Sequence, residues 1–232
     1  MLKKRVKDFY RRHRVATRLS LIILVPLSLI LFYCASVVIK AYLDTPKVVA
    51  QAISPERISL RLEDMSDDYR NILLTVEDPN FYSHHGIDLT TPGAGWTTIT
   101  QGIVKVYFYN GFTPGLFRYR KLEQSLIAWV FNSRVDKRTQ LLIFINSAYF
   151  GNYNGREVIG FTDASRVYFN KGFSDLTREE FISLVAMLIG PNEFNVIQQP
   201  DKNSERTNRI TRLLNGECKP TGHADVYYEA CN

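Results

Sequence analysis

The pattern of apolar and polar positions changes character along the chain. Residues 19–39 form 21 consecutive uncharged, mostly apolar positions, and about 20 such residues wound as a helix cross the hydrocarbon core of a bilayer. Pro26 falls near the middle of the run, where a membrane helix tolerates it. From residue 41 to 62 the pattern reads as a short linker turning into mixed structure. Ser66 is of the N-cap type, acids occupy the first turn after it, and Pro79 stops a helix shortly after Glu77 and Asp78. Residues 86–97 are rich in Gly, Thr and Pro and read as a loop. Over residues 121–148 apolar positions recur at helical spacing on either side of a polar break at 132–137. Thr177 and Glu180 form a capping-box pair that opens an apolar helix over 181–189, closed by Gly190 and Pro191. Helical segments, short loops and few alternating runs predict a mainly α domain.

Composition narrows the picture. The 232 residues suffice for one well-packed domain and an appendage, and 45% hydrophobic with 12% aromatic content excludes a disordered chain. The formal charge of +6 is unevenly placed: eight of the 29 Lys and Arg precede position 19 against a single acid, Asp8, leaving 21 basic against 22 acidic residues. A nucleic-acid-binding domain carries its own basic face, so nucleic acid is not expected as a partner. The apolar run behind the basic tail is longer than the roughly 7–15 residues of a signal-peptide core. The one small-residue cleavage candidate, Cys34-Ala35-Ser36, is weak. An uncleaved single-pass anchor is therefore expected, with a cytoplasmic N-terminus and the rest outside the inner membrane, since basic residues crowd one flank. The expected division is a basic tail 1–18, a membrane helix 19–40, a domain 41–215 and a C-terminal tail 216–232. In an oxidising space Cys218 and Cys231, 13 positions apart around Pro220 and Gly222, suit a disulfide; the alternative is two free thiols. Three Cys and four His show no metal-ligand spacing.

The densest chemistry lies at residues 77–86. Glu77 and Asp78 sit at a helix end, followed by Phe81, His84 and His85. Desolvation there raises a carboxylate's pKa and suits a general base, the alternative being an acidic pair facing water. Taken in order, Glu77, Asp78, Phe81, His84 and Gly86 resemble the first signature of the family 51 glycosyltransferases, the peptidoglycan polymerases. Residues 95–101, with Lys105, resemble that family's Gly-rich loop. Arg120, Lys121 and Ala128 resemble its third signature, and Asn146, Tyr149, Phe150 and Gly151 its Asn-x-x-Tyr-Phe-Gly. Tyr168, Phe169, Asp175, Thr177, Glu180, Gly190 and Pro191 resemble the later pattern, and Arg206 stands where the family ends with Arg. The likeness spans about residues 60–215.

The resemblance implies a mainly α, lysozyme-like domain with two lobes and a cleft, the smaller lobe near the membrane. It implies polymerisation of lipid II into a nascent glycan strand, with inversion and release of polyprenyl diphosphate. It casts Glu77 as general base and Asp78 and His84 as its orienters, with Phe81 packing the loop. Thr98, Thr100 and Gln101 would bond the donor's sugars or phosphates. Lys105, Arg118, Arg120, Lys121 and Lys137 would face the diphosphate. Magnesium or manganese is implied by the resemblance alone. Cell-wall elongation or division proteins are implied as partners. The chain departs from the pattern at several points: the family's second glutamate is Gln124, which carries no charge and takes no proton, and a further glutamate is Leu142. Trp96, Gly102 and Val106 also replace family residues. These departures imply as the alternative a catalytically impaired relative that binds lipid-linked precursor or a cell-wall partner.

Overall fold

In the computed structural model, residues 2–109 and 119–231 are described, without the side chains of residues 2–21 and Tyr119. The first helix, α1 (Leu2–Ala52), is continuous. Its stretch Ile22–Ala52 is long and apolar enough to cross a membrane, by length and composition. The linker expected from residue 41 begins only at residue 53. The helix runs on to Ala52 because Val37, Ala41, Val48 and Ala52 recur on one face and are buried in the domain core. That face packs on α4, where the Arg134 guanidinium lies 3.7 Å over the Tyr42 ring.

The remaining helices are α2 (Asp67–Glu77), α3 (Ile99–Phe108), α4 (Tyr119–Arg134), α5 (Lys137–Ser147), α6 (Phe161–Phe169), α7 (Arg178–Met187) and α8 (Pro200–Leu214). A small antiparallel hairpin, β1 (Tyr149–Tyr153) with β2 (Arg156–Ile159), separates α5 from α6. Ser66 caps α2 by accepting from Tyr69 N at 3.1 Å, and Thr177 and Glu180 close a reciprocal capping box on α7. Helices α1, α3, α4 and α5 pack together, as do α2, α6, α7 and α8, and α5 meets α6. In the second group α7 is buried along residues 181–187. Phe181 stacks on Tyr69 at 4.1 Å and on Phe161 at 5.3 Å between ring centroids.

Residues 216–231, which the polar sequence leaves as a loose tail, lie back on the domain. Cys218 and Cys231 are joined, Cα to Cα 5.4 Å. Arg212 Nη1 donates to Cys231 O at 2.8 Å, and the buried Tyr228 hydroxyl donates to Val76 O at 2.9 Å. Val76 immediately precedes Glu77.

Candidate active site

The two adjacent carboxylates at the end of α2 diverge. Asp78 turns inward and is completely buried. Its carboxylate accepts from the first backbone N–H of α3, Ile99 N, at 2.9 Å and from His84 Nε2 at 3.0 Å. Gly86 N donates to His84 Nδ1 at 2.9 Å, which leaves the ring proton on Nε2, directed at Asp78. The Thr98 hydroxyl donates to Gly86 O at 2.8 Å while capping α3 together with Gln101. Gly86 has φ +92°, and a Cβ there would lie 2.5 Å from Ala128 O, so only glycine lets this turn seat against α4. The first two signatures are thus one interlocked joint between α2 and α3.

With Asp78 tied down, Glu77 points the other way, into a cavity of about 1070 Å³ between the two helix groups. The wall includes residues 93–99, Lys105 on α3, Tyr149 and Glu157 on the hairpin, Pro191, Arg206 on α8, and Ala224 and Val226. Burial pushes the Glu77 carboxyl up to about 7; the Arg206 charge opposes this and Asp78 adds to it. Arg206 is itself buried, which lowers its pKa. It is held by Nε donation to Ala186 O at 3.1 Å and Nη1 donation to Val226 O at 2.8 Å.

Among the expected site residues, Glu77, Thr98 and Lys105 line this cavity. Burial lowers the Lys105 pKa. Several others belong to the framework; for Thr100 and Gln101 this differs from the substrate contacts expected of them. Phe81 and His84 are buried beneath the joint. The Thr100 hydroxyl is fully buried and donates to Gln140 Oε1 at 2.7 Å, bridging α3 to α5. Gln101 spends its amide on Thr98 N at 3.1 Å and Ser125 Oγ at 2.9 Å. Gln124 donates through Nε2 to Gln101 O at 2.7 Å and accepts from Lys121 Nζ at 3.2 Å. Lys121 also reaches the rim at Thr97 Oγ1, 3.1 Å away. Burial lowers its pKa to about 8, and Lys105 adds to the shift. Lys137 Nζ lies 4.4 Å over the Phe81 ring with no hydrogen-bond partner among the described residues. Burial lowers it to about 8 against the pull of Asp78. Arg120 is half-buried in the first turn of α4, within electrostatic range of Tyr109. Arg118 lies outside the described residues.

Sequence reasoning missed Arg57, Tyr107, Ser147, Glu157, Ala224 and Val226, all of which line the cavity. Arg57 sits 5.9 Å from the Tyr107 ring centroid, in a segment whose pattern marks only a linker. For Ala224 and Val226 the one signal was the cysteine pair around them. The carboxylates lining the cavity are Glu77 and Glu157, and no group of three His, Cys, Asp or Glu converges among the described residues. No all-protein cage for a magnesium or manganese ion is therefore formed among the described residues.

The α-helical domain carries a cleft lined by Glu77, and the chain belongs to the transglycosylase family: the family model described as Transglycosylase matches residues 46–215. The domain is accordingly mainly α and lysozyme-like. Its relatives include penicillin-binding protein 1F of Bacillus subtilis, 31% identical over 182 residues, which cover 73% of this chain and 24% of the relative. Penicillin-binding protein 1B of Escherichia coli is 28% identical over 185 residues, 73% of this chain and 22% of that one. Penicillin-binding protein 1A of Streptococcus oralis is 25% identical over 206 residues, 83% of this chain and 31% of that one. The chain spans between 22% and 31% of the length of these relatives.

Proposed function

We propose that this chain is a peptidoglycan glycosyltransferase that polymerises lipid II, with Glu77 as general base. The observation that carries the reading is the placement of Glu77: a carboxyl raised to about 7 in a large cleft whose wall also holds Arg57, Lys105 and Arg206. A base titrating near neutrality suits proton abstraction from a sugar hydroxyl. Glu77 takes the proton from the 4-hydroxyl of the acceptor GlcNAc as its oxygen forms a bond to C1 of the MurNAc at the end of the growing strand. The C1–O bond to the diphosphate breaks on the opposite face, the anomeric centre inverts, and polyprenyl diphosphate leaves. Negative charge developing on the diphosphate faces Lys105, with Lys121 at the rim. The exposed apolar side chains of α1 from Ile22 to Phe32 support anchoring in the membrane that holds the lipid tail. The basic tail supports a cytoplasmic N-terminus with the cleft outside the inner membrane.

A second reading, a binding protein with little turnover, is favoured by Gln124, whose amide is committed to Gln101 O and Lys121. Fluorescent lipid II and the detergent-purified full chain separate the two. Polymer from the native chain and none from Glu77→Gln is the expected result. Unchanged polymerisation by Glu77→Gln would remove Glu77 as base, and no polymer from the native chain would favour the second reading.

A further inference from the structure

Residues 217–231 lie outside the family match, which ends at residue 215, yet they touch three parts of the cleft. Toward the glycine-rich loop, Gly93 N donates to Gly222 O at 3.0 Å and Gly95 N to His223 O at 2.9 Å. His223 Nδ1 bonds Thr91 O at 3.0 Å, and the Trp96 ring meets the His223 ring edge-on at 5.0 Å. The contact is close enough to dictate glycine. A Cβ on Gly95 (φ +65°) would lie 2.6 Å from Val226 Cγ1, and one on Gly93 (φ +77°) 2.8 Å from Pro220 Cγ. Toward α8, Val226 O accepts from Arg206 at 2.8 Å, and toward α2 the Tyr228 hydroxyl holds Val76 O at 2.9 Å. The Cys218–Cys231 bond closes the segment behind these contacts, and Ala224 and Val226 face the cavity.

From these contacts we propose that residues 217–231 are a positioning wall of the cleft, a disulfide-closed segment that holds the loop at 91–98 ready for the lipid-linked substrate. The assignment of that substrate rests on the function proposed above. A loop with glycines at 93 and 95 has many backbone states, and ordering them at the moment of binding weakens binding by the entropy lost. The wall removes those states in advance. Closing its own ends by a disulfide limits the excursions of the wall in turn. Loosening it therefore weakens substrate binding and leaves the bound-state chemistry at Glu77 nearly unchanged.

The test compares the full chain in detergent, oxidised and after phosphine reduction, with the double variant Cys218→Ser, Cys231→Ser. Cys34 is free, so among the described residues reduction opens this bond alone. Backbone hydrogen exchange should speed up about tenfold at Gly93 and Gly95, with α7 amides unchanged. With fluorescent lipid II, KM should rise about fivefold and kcat stay within about twofold. Unchanged exchange at Gly93 and Gly95 overturns the proposal, as does a lowered Tm with KM unaltered, which would make the disulfide a stabilising staple only. If the oxidised chain makes no polymer, the polymerase reading fails while the exchange measurement still decides the wall. If the double variant does not fold, reduction of the native chain supplies the same comparison.

Discussion

Glu77 and Asp78 are neighbours of the same chemical type with opposite assignments. Asp78 accepts from two N–H donors inside the joint, His84 Nε2 across both of its oxygens and Ile99 N, and Glu77 is left facing the cavity. Its raised pKa has a stability consequence. The folded carboxyl titrates near 7 and the unfolded one near 4.5, so the folded state binds more protons between those values and stability falls as pH rises through that window. Glu77→Gln should therefore stabilise the domain at pH 8, by on the order of 1–3 kcal/mol, with the gain gone at pH 4; thermal unfolding at the two pH values checks this. Position 124 is governed by donors and acceptors. Gln124→Glu removes the donor to Gln101 O and sets a carboxylate against a carbonyl, with only Lys121 as relief. A loss of about 1–2 kcal/mol in denaturant unfolding is expected. An unchanged or higher midpoint would show the side chain free to leave this contact. Glu77 stood out in the sequence as the candidate base because its neighbours carry a recognisable order. The framework roles of Thr100 and Gln101 were not legible there, because a polar side chain reads the same whether it meets substrate or a buried partner.

Among the elements, the joint between α2 and α3 governs the site. Ile99 N is an orphan donor at a helix start, and Asp78 satisfies it from 21 residues away while also receiving His84. Asp78→Ala strands both buried donors. It should cost about 2–4 kcal/mol and slow polymerisation, because the loop at 93–99 and the end of α2 lose their shared anchor. Unfolding midpoints and lipid II turnover check the two effects together. Ser66 and Thr177 made α2 and α7 readable from local pattern, each capping the helix that follows, whereas α3 and its Thr98 cap emerged only in the structure. The pairing of helices was not readable, since one apolar face fits several partners until volumes and hydrogen bonds are matched in space.

For the molecule as a whole, α1 links the candidate membrane span to the domain without a joint. Residues 22–33 expose their side chains, whereas Val37, Ala41, Val48 and Ala52 belong to the core. Removing residues 1–35 should leave the domain folded. Removing residues 1–52 should destabilise it by about 3–6 kcal/mol through the lost burial. Proteolysis and denaturant unfolding of the two truncations distinguish them: equal stability would mean that the lower half of α1 is an appendage. The linker expectation failed at this scale because residues 41–52 mix polar and apolar positions, and the helical face they form becomes apparent only when α4 lies against it.

The sequence by itself determined the things that depend on local order: a membrane-length apolar helix, the capped helices, and the succession of signature residues around Glu77. Such features follow from propensity, periodicity and spacing, which act between near neighbours. Only the tertiary structure decided that Glu77 and Asp78 part company, that Arg57 and Arg206 join the cleft, and that residues 217–231 wall it. Each of these depends on contacts between positions far apart in the chain, such as Tyr228 with Val76 or Val226 with Gly95, where close packing and the need to satisfy buried polar groups select one arrangement.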